Sequence, residues 1–285
     1  MTTVVSTSTA PPDTALGSRR RGPDAGAGFL TATEQSARRT LLQYLRTPQL
    51  LVLPTITGAL FLFIFRYIFG GAISTASVDY VDFLVPGFLL ALVLWTGMNT
   101  PAGVAEDASS GVHDRLRSLP IPRAAVVTGR SLADGALVAW TLVVSALLGY
   151  AVGFNAHADV GSVIAAFALI LVAGYAFTWM FISLGLSAGN AQAAQGMSTL
   201  IVIPLTFLSG AYVPVHSMPG WMQSFAANQP VTAMINAVRS LMLGGTHAAG
   251  VGHSTAHWVV LSLAWIAGIF VVFSTIAVAR FSRTR

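Results

Sequence analysis

Residues 105–134, AEDASSGVHDRLRSLPIPRAAVVTGRSLAD, carry eight of the chain's twenty-five formal charges. They lie between two long uncharged runs in a chain of 285 residues of which only 9% are charged. A soluble domain carries about 25% charged residues. With 54% hydrophobic side chains and a mean hydropathy of +0.72, this chain has too little polar surface to cover a soluble globule. The apolar runs need another solvent, and the charged stretch is what joins two of them. Residues 160–238 extend the pattern, with 79 consecutive positions free of Asp, Glu, Lys and Arg. The composition therefore predicts an all-α integral membrane protein.

Six runs are at or near the ~20 residues that cross ~30 Å of hydrocarbon. They cover about 47–66, 83–105, 135–154 (its helix extending back to about 131), 161–187, 196–213 and 257–279. The fourth and fifth meet at the polar hairpin AGNAQAAQG, residues 188–196. Lysine is absent, and thirteen of the fifteen arginines fall before the first span, between the second and third, or after the sixth. Six crossings put those three regions on one side, so the positive-inside rule predicts cytoplasmic termini and a cytoplasmic 105–134 loop. Arg66 is expected to snorkel from the outer end of the first span.

Residues 1–28 are rich in Thr, Ser, Pro, Gly and Ala, contain the triple arginine 19–21, and have no apolar signal-like stretch. They are expected to form a disordered cytoplasmic tail. Thr31 and Glu34 have the spacing of a capping box. Beyond them Leu30, Ala37, Leu41 and Leu45 share a helical face, with Arg38, Arg39 and Arg46 off it. That pattern predicts an N-terminal amphipathic helix on the membrane surface, which opens a single transmembrane domain over 29–285.

Between the fifth and sixth spans two short apolar helices are expected. Pro219 suits the first turn of one; Asn228-Gln-Pro230 breaks it, and the second runs to the Gly244-Gly245 stop. Neither is long enough to cross, which predicts an external re-entrant hairpin with Trp221 at the interface. Arg239, one turn from the second helix's end, is expected to meet the last carbonyls.

Within the charged stretch, Val112, Leu116 and Leu119 follow i, i+4, i+7 spacing, with Glu106 and Asp107 at the start and Arg115 and Arg117 near the end, the order that suits a helix dipole. Pro120 and Pro122 end that short helix. Residues 122–154 could then form one helix of about 50 Å at 1.5 Å per residue, longer than the membrane. The loop becomes a rigid charged platform at the inner mouth, suited to being gripped by another protein.

These segments resemble the membrane subunits (permeases) of ABC-2 type exporters, especially the daunorubicin-resistance kind. Glu106, Gly111, Leu116, Pro120 and Arg123, with their intervals of four, four, three and two residues, match the motif after that family's second span. Leu208-Ser-Gly-Ala-Tyr-Val-Pro214 resembles its fifth-span ending; Met218-Pro-Gly-Trp221, Asn228-Gln-Pro230 and Arg239 with the following glycines resemble its external hairpin. The resemblance covers roughly 35–280. It implies a dimer of six-helix subunits, from a second copy or a paralogue, in a bacterial plasma membrane. It also implies a separate cytoplasmic ATPase that holds ATP and Mg, no cofactor on this chain, and a coupling helix over 106–123. On that reading Glu106, Asp107, Val112, Arg115, Leu116, Arg117, Leu119, Pro120 and Arg123 serve the ATPase contact. The implied activity is outward movement of an amphiphilic drug-like, lipid or polyketide-type substrate, or alternatively of a lipid-linked glycan or polymer.

Other classes fit less well. With no lysine there is no P-loop, and with no cysteine there is no thiolate nucleophile or Cys-based metal site. The arginines do not form the soluble basic face that nucleic acid requires. A membrane-embedded enzyme needs converging acid–base or metal groups. His253 and His257 have i, i+4 spacing, but no carboxylate follows Asp159. A proton-coupled carrier needs ionisable groups inside its spans, where this chain offers neutral ones such as Thr96, Asn99, Thr178, Ser183, Thr206 and Ser209. Their ordinary role is interhelical hydrogen bonding. Thr96, Asn99, Thr206 and Ser209 are the candidates for a translocation path.

Overall fold

The computed structural model describes residues 28–73, 78–110, 122–245 and 252–283, which form helices and turns with no strand among them. The expected tail lies outside the described residues. The helix α1 spans Phe29–Arg46, and α2 spans Gln49–Phe63 and runs on as a π-turn over Ile64–Phe69. Next come α3 (Tyr80–Gly97), α4 (Thr100–Ser109), α5 (Arg123–Ala151), α6 (Val160–Gly185) and α7 (Ala191–Phe207). The last three are α8 (Gly220–Asn228), α9 (Pro230–Met242) and α10 (Thr255–Arg283).

Among the described residues five helical stretches are long and apolar enough to cross a membrane: Gln49–Phe69, Tyr80–Ser109, Ala124–Ala151, Val160–Gly185 and Thr255–Ser282. The region read as the fifth span holds the shorter α7, which stops at Phe207 while turns continue to Val213. Side chains satisfy that end. The Ser209 hydroxyl donates to Thr206 O at 2.6 Å and accepts from Ala211 N–H, and Gln229 Nε2 donates to Leu208 O at 2.7 Å. At the start of α6, Asp159 caps the helix by accepting from the Ser162 hydroxyl and amide, which holds its carboxyl below its ordinary range.

Hydrocarbon gives no hydrophobic reward for helix association, so close packing must supply it. The central element is α3, buried along almost all its length against α2, α5, α6 and α9. Gly87 lets the turn after α7 approach, since a Cβ there would stand 2.6 Å from Ala211 O. At Gly129 of α5 a Cβ would stand 2.4 Å from Thr33 O, so α1 crosses α5 backbone against backbone.

One detail of α1 differs from expectation. The helix begins at Phe29 with Gly28 as N-cap, so Thr31 and Glu34 lie inside its first turns and form no capping box. Its buried face is small and polar (Ala32, Thr33, Ser36, Thr40, Tyr44), whereas Leu30, Leu41 and Leu45 point outward. The glycine crossing selects small residues, which leaves the leucines exposed.

Candidate functional site

One end of the bundle, where α1, α4 and α5 meet, gathers ionised groups from three helices. Arg130 on α5 donates through Nε to Asp134 Oδ2 and through Nη1 to Asp107 Oδ2 at the end of α4, both at 3.2 Å. Arg39 on α1 donates to the same Asp107 oxygen at 2.9 Å. The Tyr44 hydroxyl donates to Asp134 Oδ1. Burial first, and the Asp134 carboxylate second, push the Tyr44 phenol above its ordinary range and keep it a donor. The Asp134 side chain is 2% exposed, and two donors meet the need of so buried a charge. Beside them the Ser36 hydroxyl donates to Val126 O at 2.9 Å. The result is a fixed three-helix corner directly before and after residues 111–121.

Of the predicted coupling residues, Asp107 lies in this network and Glu106 is exposed next to it. Arg123 opens α5. Val112, Arg115, Leu116, Arg117, Leu119 and Pro120 lie outside the described residues. Sequence reasoning missed Arg39, Tyr44, Arg130 and Asp134 as a unit. One signal was present: Arg130 and Asp134 have the i, i+4 ion-pair spacing within a predicted helix.

Two neighbouring pockets lie near this end. One of about 190 Å³ is lined by Tyr44, Asn99, Glu106 and Arg130 among others. The other, of about 330 Å³, lies between α2, α3 and the start of α7, lined by Leu53, Thr57, Leu92, Trp95 and Gln195. They share Leu50 and Asn99. Asn99 thus lines both pockets. Thr206 touches the larger pocket's wall indirectly, accepting the Trp95 indole N–H at 3.1 Å. Thr96 donates to Leu92 O and Ser209 to Thr206 O, so both are spent on their own backbone, and neither lines these pockets. The expectation of no carboxylate within a span also needs amendment. Asp82 is buried in the first turn of α3, accepting the Asn155 amide at 3.0 Å with His157 Nδ1 at 3.8 Å. The helix starts three residues earlier than the apolar run because Tyr80 also packs, its hydroxyl donating to Tyr212 O.

At the opposite end Pro219 precedes α8 as its N-cap and Pro230 opens α9. Trp221 is 78% exposed. Arg239 differs from expectation: it is 2% exposed and does not cap α9. Its guanidinium donates twice to Phe83 O, at 3.1 and 2.9 Å, and once to Gly210 O at 2.8 Å, and lies 3.7 Å from the Phe83 ring centroid. α9 packs among α3, α6 and α10, so the side chain points into the bundle and finds foreign carbonyls nearer than its own. Arg66 lies in the π-turn with its guanidinium 5.7 Å from the Tyr67 ring, and its Nε has no partner among the described residues. The His253 and His257 rings stand 4.5 Å apart against Trp258.

Comparison with known proteins matches this sequence to transporters. The ABC-2 type transporter family matches residues 31–243. The daunorubicin resistance ABC transporter permease protein DrrB1 of Streptomyces coeruleorubidus is 30% identical over 220 residues, 77% of this chain and 78% of that one. The probable doxorubicin resistance ABC transporter permease protein DrrC of Mycobacterium tuberculosis is 25% identical over 245 residues, 86% of each chain. The inner membrane transport permease YadH of Escherichia coli is 28% identical over 204 residues, 69% of this chain and 76% of that one. With its apolar helices and a family match across most of its length, the chain is a multi-pass membrane protein and belongs to the ABC-2 type transporter permeases.

Proposed function

We propose that the chain is the translocating half of an ATP-driven exporter of amphiphilic molecules. A separate cassette ATPase would bind the 105–134 platform on the cytoplasmic side and supply ATP and Mg. The chain would work as a dimer of six-helix subunits, with α7 and the turns to Val213 as the fifth crossing. In this reading α1 lies on the inner membrane surface, and α8 and α9 form the external hairpin.

The observation that carries this reading is the Arg39–Asp107–Arg130–Asp134–Tyr44 corner. It fastens both flanks of the platform to the surface helix, so a push on the loop moves α1, α4 and α5 together. Asp107 is the shared member, bridging two arginines from different helices. The larger pocket, mostly apolar with Gln49, Asn99 and Gln195 at its wall, suits an amphiphile better than an ion, and the smaller one adds Glu106 and Arg130 for a polar group.

The test is reconstitution with the ATPase partner in vesicles, with daunorubicin, named for a relative, as first cargo. Asp107→Asn and Glu106→Gln are expected to leave insertion and co-purification intact. Export and cargo-stimulated ATP hydrolysis should fall together, about tenfold for Asp107→Asn, a loss of about 1.4 kcal/mol in coupling. Wild-type rates in both variants would overturn the coupling role. A lipid-linked glycan moving where daunorubicin does not would select the alternative cargo.

A further inference from the structure

Above the larger pocket five aromatic side chains close into a loop. Phe61 of α2 meets Trp95 of α3 edge-on at 4.8 Å, and Trp95 lies 5.9 Å from Phe207 at the end of α7. Phe207 lies 5.0 Å from Tyr212, Tyr212 stacks on Phe65 of the π-turn at 4.8 Å, and Phe65 lies 6.4 Å from Phe61. Trp95 belongs to both structures: it lines the pocket and is a member of the ring. The pocket's α2 residues are Gln49 to Thr57, and the ring's are Phe61 and Phe65, one to two turns further toward the hairpin end.

We propose that this ring is the gate that shuts the pocket from the outer side, within a single subunit. The proposal uses the inside–outside assignment of the permease reading but not its ATPase or its cargo. Among the described residues α2 and α7 scarcely pack on each other, so the rings span a gap between helices that are otherwise free to separate. Both helices carry a weak point at the ring. On α2 it is the π-turn Ile64–Phe69, which contains Phe65; such turns are single insertions in a helical ladder and concentrate at functional sites. On α7 it is Pro204, one turn before Phe207, where the helical ladder lacks an N–H. The Trp95 N–H bond to Thr206 registers the shut position. Edge-on and offset ring contacts exclude water while leaving no buried ion pair to break on opening. Tyr212 is buried, and Phe207, 40% exposed, is the rim from which the ring parts.

The chain has no cysteine, so single thiols report accessibility directly. Thr57→Cys places one on the pocket wall, and Ser110→Cys, in a separate chain, places a marker thiol on the inner side. With the ring intact, a membrane-impermeant thiosulfonate is expected to reach the pocket thiol from the side that labels the marker and not from the opposite side. In Thr57→Cys with Phe207→Ala and Tyr212→Ala, labelling from the opposite side should rise at least tenfold while labelling from the marker's side persists, which also shows the variant folded. If that variant fails to insert, Phe207→Leu with Tyr212→Leu keeps apolar volume but removes the flat interlock, and the same rise is expected. Opposite-side labelling with the ring intact, unchanged protection without it, or no labelling of the pocket thiol from either side would each overturn the gate. Because sides are referred to the marker thiol, a reversed topology inverts both signals and is recognised as such; loss of transport with normal labelling would indict the permease reading instead.

Discussion

Arg130 illustrates how one side chain can fasten one edge of a membrane protein. Its Nε and Nη1 take separate aspartates, Asp134 on its own helix and Asp107 on α4. A planar guanidinium does this and an ammonium does not. Removing one partner of a buried pair costs about 3–5 kcal/mol, whereas an exposed pair is worth about 0–1 kcal/mol. Arg130→Ala should therefore lower the unfolding temperature in detergent several times more than Arg39→Ala, whose side chain is 40% exposed. Arg130→Lys should recover only part of the loss. Equal shifts for the two alanine variants would remove Arg130 from the centre of the network. Little of this was legible beforehand. The i, i+4 spacing hinted at Asp134, but Tyr44 lies 90 residues from it and Phe83 lies 156 from Arg239. Pairings of that range are decided by which helices touch, which periodicity along one helix does not encode.

At the scale of elements the sequence reads well where local chemistry decides. Pro122 before a long apolar run predicts α5, and Pro219, Pro230 and the Gly244-Gly245 stop bound α8 and α9 almost to the residue. It reads poorly where packing decides. Gly97, Asn99 and Pro101 are the local marks of the turn that divides α3 from α4, masked by the continuous apolar run 83–105, whereas nothing local announces the π-turn after Phe63. The buried face of α1 is the clearest case: the leucine stripe was visible, yet the protein-facing side is set by Gly129 on another helix. That contact makes a prediction. Gly129→Leu should lift α1 from α5, because a Cβ alone already meets Thr33 O and Ser36 Cβ at 2.4 and 2.5 Å. In a Thr40→Cys background, the thiol replaces a fully buried side chain and should resist a water-soluble maleimide. Adding Gly129→Leu should expose it to rapid labelling. Continued protection would mean that α1 is held by something other than this crossing.

For the whole molecule, charge asymmetry carries the topology: thirteen arginines on one side of six predicted crossings. Single cysteines at Ser110, beside the inner corner, and Ser217, before α8, should report opposite sides. On intact cells an impermeant maleimide should label the Ser217→Cys variant and spare the Ser110→Cys variant, and the reverse pattern would invert the molecule. The central claim is that this chain moves cargo with energy from another polypeptide, and ATP-dependent uptake into inside-out vesicles tests it most directly. The vesicles would hold the chain alone, the cassette ATPase alone, or both, with daunorubicin fluorescence and the movement of a lipid-linked glycan as readouts. The predicted result is no ATP hydrolysis by the chain alone, and ATP-dependent uptake of one of these cargoes only when both polypeptides are present. ATP hydrolysis by this lysine-free chain by itself, or no ATP-dependent uptake of either cargo with both present, would contradict it.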